Sequence, residues 1–248
     1  MIYLIGLGIG SEKDISVRGI EACGKCAEVC AELYTAKWPG SLKRLEGIIG
    51  KKIAVLSRAD MEEDVGKLVK RAADRDIAIL MPGDPLSATT HIGLMMEARE
   101  RKVRVEVVHA SSILTAVAET GLSLYNFGRT VTVVSPQAGY APASFYDAAG
   151  KNKSLGMHTL LLLDVGMDSA SGIRVLMGIG EKKKRPLVAA NTMLVAANLL
   201  GTPAASIRYG KARELLKRPF EPPAVLILPG KLHFTEKEYL EAFSIKGS

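Results

Sequence analysis

The sequence predicts an α/β protein of two domains, residues 1–122 and 123–248, and three observations carry that reading. An apolar run of strand length, Ile77 to Met81, stops at Pro82-Gly83-Asp84-Pro85, as a parallel strand covered on both faces should. Through the first half, strand-length apolar runs alternate with segments of helical spacing, which implies a mostly parallel, helix-covered sheet. After a crossover punctuated by Gly121 and Gly128, a second series of apolar runs starts at Thr130.

Residues 2–8 form the first strand and run into Gly6-Leu7-Gly8-Ile9-Gly10, with Ser11 and Asp14 as helix starts. A glycine-rich turn lets a ligand approach the main chain, but the third glycine comes one residue too early for the dinucleotide fingerprint. The next helix carries Cys23, Cys26 and Cys30 on one face with Ile15, Ile20 and Val29. A short strand follows at Val29 to Leu33, then a polar segment with Trp38, Pro39 and Gly40. Strand 52–56 precedes an amphipathic helix over 59–74 that turns Met61, Val65, Leu68 and Val69 inward.

Strand 77–81 leads into a helix over 87–101, for which Ser87 and Thr89 are the candidate caps. Between two prolines, Gly83 permits close approach of a ligand, and Asp84 is presented on a stiff loop at the carboxyl end of a strand, where open α/β sheets bind ligands. Asp84 serves either that ligand or its own turn. Strand 103–109 and a helix of small and apolar residues over 114–120 close the first half.

In the second half, strands are expected at 130–135, 158–165, 206–211 and 224–228. Residues 136–146 read as a loop in which Tyr140 and Tyr146 either line a substrate face or are buried with a hydrogen-bonded tip. The Gly-rich stretch 166–185 reads as an irregular excursion ending in the basic run Lys182 to Arg185, and 187–200 fits strand or helix. A tail helix over 235–243 is opened by Thr235 with Glu238 three residues on.

A chain of 248 residues can fill one large or two modest cores. Its apolar runs are far too short to span a membrane, and the start of the sequence reads as a strand rather than a signal peptide, so a cytoplasmic protein is expected. The formal charge of +7 points toward acidic partners, but the bases are dispersed; with one Gln and few Asn they equally suit a thermophilic source. Cys23, Cys26 and Cys30 have metal-like spacing, yet the four histidines at 91, 109, 158 and 233 are distant in sequence; a small-residue core stripe is the simpler account, and no metal is expected.

Six stretches together give the chain its resemblance: YLIGLGIGSEKDISVRG at 3–19, AELYT at 31–35, MPGDPLSATTH at 81–91, HASSI at 109–113, HTLLLLD at 158–164 and LPGKLHFTEKEYL at 228–240. It resembles the diphthine synthases, in an archaeal form, within the tetrapyrrole methylase fold group. GDPL marks the wider group; GDPL followed by ATTH, with PGKLH near the end, points to this family.

The resemblance implies two α/β domains with a cofactor cleft between them, a homodimer, and S-adenosyl-L-methionine as methyl donor, leaving as S-adenosyl-L-homocysteine. It places cofactor contacts on Ile9, Asp84, Ser87, Ser112, Ile113, Leu163, Leu200 and His233. It also implies successive methyl transfers to the amino group of a modified histidine on translation elongation factor 2. The family's Ala-Arg-Ala-Gly stretch falls on Asn198-Leu199-Leu200-Gly201, so the arginine is missing here. Ser87 and Ser111 replace apolar residues or proline of relatives, which suits contacts through the main chain. Transfer from a sulfonium to a neutral amine depends chiefly on positioning, and no residue stands out as a base; Asp84 or water are the candidates. His91 is expected to be structural or on a helix surface. Rival readings are a precorrin-like tetrapyrrole methyltransferase and a non-catalytic nucleotide- or RNA-binding module; direct nucleic-acid binding is not expected.

Overall fold

A computed structural model describes residues 1–136, 142–184 and 186–245. The chain divides into two compact units, Met1–Ala116 and Val117–Ser248. Among the described residues, no helix is long and apolar enough to cross a membrane.

The first unit runs β1 (Ile2–Gly6), α1 (Val17–Lys25), β2 (Glu28–Glu32), α2 (Leu42–Ile49), β3 (Ala54–Leu56), α3 (Arg58–Glu62), α4 (Val65–Asp74), β4 (Ile77–Met81), α5 (Ile92–Glu100), β5 (Val105–Val108) and α6 (Ile113–Ala116). Its five strands are all parallel, in the order β3-β2-β4-β1-β5. The register pairs Ile5 with Leu80 and Gly6 with Met81. This sheet explains the uninterrupted apolar run of β4. Ile77, Ile79 and Met81 enter one core with Ile2 and Leu4, while Ala78 and Leu80 enter another with Ile5 and Leu7. Both faces are covered, so every side chain of β4 is apolar. An Ile79→Val substitution removes one methylene from a fully buried site and is expected to lower the unfolding free energy in urea by about 1 kcal/mol.

Several expected elements are corrected here. The cysteines do not share a helix face: Cys23 lies in α1, Cys26 ends it, and Cys30 lies on β2. The chain must extend after Cys26 because Glu28 to Ala31 pair with Ile77 to Leu80. Cys23 and Cys26 therefore enter one core and Cys30 the opposite one. Burial pushes their thiols up to about 12, 11 and 12 respectively, which makes them poor ligands and poor nucleophiles. The polar segment after Trp38 contains α2, capped by the Ser41 hydroxyl and ended by Gly50 at φ +74°. The single helix expected over 59–74 is two, because Glu62, Glu63 and Asp64 gather three carboxylates at the C-terminal end of α3, where the helix dipole disfavours them.

The second unit runs β6 (Val131–Val133), α7 (Ser144–Ser154), β7 (Thr159–Leu163), α8 (Ser169–Lys182), β8 (Met193–Asn198), β9 (Ser206–Lys211), α9 (Ala212–Leu215), β10 (Ala224–Leu228) and α10 (Phe234–Glu241). Its sheet has the order β6-β7-β10-β8-β9, with only β6 and β7 parallel. The excursion expected at 166–185 is mostly α8. Asp168 caps it by accepting from Ser171 N at 2.7 Å, and its glycines permit close packing: a Cβ on Gly172 would stand 2.6 Å from Leu163 Cδ2. The glycine-rich look of this stretch reflects close contact, not irregularity.

The loop expected to end at Tyr146 gives way to α7 at Ser144. Tyr146 is buried there, and its hydroxyl accepts from Leu187 N at 2.6 Å, so it is a packing residue and not part of a substrate face. Tyr140 and Arg185 lie outside the described residues. The tail helix starts one residue earlier than expected, and the carboxylate that turns back is Glu236, accepting from His233 N at 2.8 Å, rather than Glu238.

Candidate functional site

In the first unit, the turns after β1, β4 and β5 leave the same edge of a parallel sheet, on adjacent strands. Two of them are stitched together. Gly8 N donates to Gly83 O at 3.2 Å and Gly83 N to Gly8 O at 2.8 Å, an antiparallel bridge between turns that follow parallel strands. Both glycines sit at φ +68°, a conformation L side chains rarely adopt. A Cβ on Gly8 would lie 2.5 Å from Asp14 Cβ, and one on Gly6 would meet Ala110 Cβ and Gly83 O, each at 2.6 Å. Glycine at these positions is what lets the three turns converge.

Asp84 fastens the third turn. One carboxylate oxygen accepts from Leu86 N at 3.0 Å and Ser87 Oγ at 3.2 Å; the other accepts from His109 Nδ1 at 2.7 Å and Ala110 N at 3.2 Å. Burial alone would raise this carboxyl, but the bonds from Leu86 N, His109 and Ala110 N outweigh it and hold the group below its ordinary value. With both oxygens engaged, Asp84 acts chiefly as a tie between the turns after β4 and β5.

The sheet edge therefore gathers Ile9, Asp84, Ser87, Ser112 and Ile113. Ser112 is buried, and its Oγ accepts from Leu114 N at 3.2 Å as α6 begins. Ser87 is bound to Asp84 and Thr89 to His91, so neither caps α5, which starts at Ile92 after a loop with Ala88 at φ +58°. His91 is not on a helix surface; it is buried, with Nδ1 3.0 Å from Pro85 O and Nε2 3.4 Å from the wholly buried Glu32. This pair joins the ends of the AELYT and ATTH stretches.

The space a Cβ would take on Gly83 is clear to 3.7 Å, bordered by Ile9 Cγ2 and, at 3.9 Å, by Ser111 O.

In the second unit, Leu163 ends β7 and Leu200 is buried in the turn after β8, where Leu199 stands at φ +52°. The antiparallel registers put Leu162 beside Val225 and Asn198 beside Ala224, so both residues lie at the edge where β10 begins. His233 follows the other end of β10, at the opposite edge of that sheet. Its loop is held from below: His158 Nδ1 accepts from Gly230 N at 2.9 Å, and Glu236 accepts from Ser123 N, Asn126 Nδ2 and His233 N. The missed signals were the buried Glu32 and the Asp84–His109 contact, residues 25 or more positions from their partners in sequence. Among the described residues, no group of three or more His, Cys, Asp or Glu side chains is arranged to hold a metal ion.

Residues 1–216 match the family model of tetrapyrrole (corrin/porphyrin) methylases. A diphthine synthase of Methanocaldococcus jannaschii is 38% identical over 251 residues, with 97% of this chain and 98% of the relative covered. One from Methanococcus maripaludis is 36% identical over 249 residues, with the same coverage. A crystal structure of diphthine synthase superposes with a TM-score of 0.89 at 32% identity, covering 98% of this chain and 95% of that one.

Proposed function

The chain belongs to the tetrapyrrole methylases and, within them, to the diphthine synthases, and from that premise we propose that its methyl donor sits on the three-turn edge of the first unit. The protein is an S-adenosylmethionine-dependent methyltransferase of diphthamide biosynthesis. The observation that carries the cofactor placement is the convergence of the turns after β1, β4 and β5 at the carboxyl ends of adjacent parallel strands, held together by the Gly8–Gly83 bridge and by Asp84. Ile9, Ser87, Ser112 and Ile113 are the proposed contacts there, with Asp84 holding the turns that present them. Leu163, Leu200 and His233 of the second unit are proposed as further contacts on the family resemblance. The group supplies, when bound, an electrophilic methyl on a sulfonium.

The substrate proposed is the amino group of the modified histidine of elongation factor 2, methylated successively, by a cytoplasmic homodimer without a nucleic-acid partner. The chain's own part in this chemistry is to exclude water and hold the amine in line with the methyl group.

Calorimetric titration of S-adenosyl-L-homocysteine into the wild type and into His233→Ala is the direct test. Binding by the wild type, weakened about tenfold in the variant, is the expected result for loss of one polar or stacked contact. A wild type that does not bind the homocysteine product sinks the cofactor placement. Methylation of a uroporphyrinoid with no transfer to elongation factor 2 would move the substrate assignment to the tetrapyrrole branch.

A further inference from the structure

His109 stands first in the turn after β5, at the three-turn edge, with 69% of its side chain exposed. Its Nδ1 lies 2.7 Å from Asp84 Oδ2. Since the hydrogen bonds around Asp84 favour the ionised carboxylate, Nδ1 carries the proton and donates it. In the neutral ring, Nε2 is then the nitrogen with a free electron pair. The ring is thus oriented by a buried carboxylate that is itself fixed by Leu86 N, Ser87 Oγ and Ala110 N, while the ring itself stays largely open to solvent. Asp84, on the β4 turn, is the ion-pair partner of His109 among the described residues. After β1, the carboxylate of Asp14 accepts from Gly10 N at 2.7 Å and Ser11 N at 3.3 Å.

We propose that His109 is the proton acceptor of the methyl transfer, a catalytic residue whose Nε2 meets the substrate amine, with Asp84 as its positioning residue. The proposal rests on the methyl donor binding at the three-turn edge. An ammonium has no electron pair to offer, so it first passes a proton to His109 Nε2, and the exposed imidazolium returns that proton to water. The amine's nitrogen pair then forms the N–CH3 bond while the S–CH3 bond breaks and its electrons stay on sulfur, giving a neutral thioether and a methylated ammonium. Before a further transfer that ammonium passes an N–H proton to His109 Nε2 in the same way. Each further transfer to the same nitrogen needs the same removal, which is where an oriented, recyclable base matters most.

Two variants of the full-length protein test this with elongation factor 2 as substrate. His109→Gln keeps an N–H for Asp84 but has no basic nitrogen; His109→Ala leaves space for added imidazole. Both are expected to bind S-adenosyl-L-homocysteine as the wild type does. His109→Gln should turn over about a hundredfold more slowly near neutral pH, the lower range for loss of a general base. The deficit should shrink as pH rises, because water then removes the proton from the amine, and imidazole should restore part of the His109→Ala rate. Nitrogen NMR of the wild type should show the Nδ1–H tautomer. Wild-type turnover by His109→Gln across the pH range overturns the proposal, as does a loss of homocysteine affinity that parallels the loss of rate. A wild type that fails to bind the homocysteine fails before any substitution is made, and so removes the cofactor placement and this proposal together.

Discussion

Asp84→Ala is expected to weaken S-adenosyl-L-homocysteine binding at least about a hundredfold and to lower stability by about 2–3 kcal/mol. The substitution strips the acceptor from four donors on two turns: Leu86 N, Ser87 Oγ, His109 Nδ1 and Ala110 N. Two of these are main-chain groups in a partly buried setting, where an unmade bond costs more than a made one contributes. Binding suffers because the turns bearing Ser87 and Ser112 lose their common anchor. The pH dependence has a definite sign. The folded carboxyl is held below its ordinary value of 3.8, so the stability it contributes is complete above that value and fades as pH falls through the lower, folded one. The difference between wild type and variant in urea unfolding should therefore be full at neutral pH and shrink in acid. Equal binding of the homocysteine by the two proteins would show that Asp84 does not organise the site.

Glu32→Ala is expected to cost about 1–3 kcal/mol, the range for leaving a buried hydrogen-bonding group unmatched. Glu32 is wholly inaccessible, and its carboxylate takes the Thr35 hydroxyl at 2.7 and 3.0 Å, with His91 Nε2 3.4 Å away. His91 has no other partner for that nitrogen among the described residues, while Nδ1 faces Pro85 O and Thr89 Oγ1. Losing the carboxylate leaves the Thr35 hydroxyl unmatched and opens a cavity where Glu32 sits against His91. Urea titration at neutral pH measures it. A cost under about 0.5 kcal/mol, less than one ordinary hydrogen bond, would mean that Glu32 does not hold the Thr35 turn.

The fold of the first unit was legible because its sheet is covered on both faces, so β1 and β4 announce themselves as unbroken apolar runs. The second unit was harder to read. Gly172 and Gly180 look like loop residues, yet each is small because Leu163 Cδ2 and Tyr146 Oη stand 2.6 Å from where a Cβ would be. Close approach and irregularity have the same composition, and only the partner tells them apart. The same holds for the cysteines, whose helical spacing concealed a helix end and a strand between Cys23 and Cys30. At the site, the GLGIG and GDPL turns could be found from local chemistry, since Gly and Pro constrain their own backbone. What Asp84 does could not, because His109 and Ala110 reach it from 25 and 26 positions away. Glu32 was passed over for the same reason: its burial depends on a strand order, β3-β2-β4-β1-β5, that local patterns leave open.

The reciprocal bonds between Gly8 and Gly83 also bear on how this protein can change over generations. Two turns separated by some 75 residues of chain are joined atom to atom, so neither is a loop in the permissive sense. Lengthening either by one residue would slide its carbonyl and amide off those of the other and undo the seam. Change at this edge is thereby confined to side chains that can be exchanged without moving the backbone.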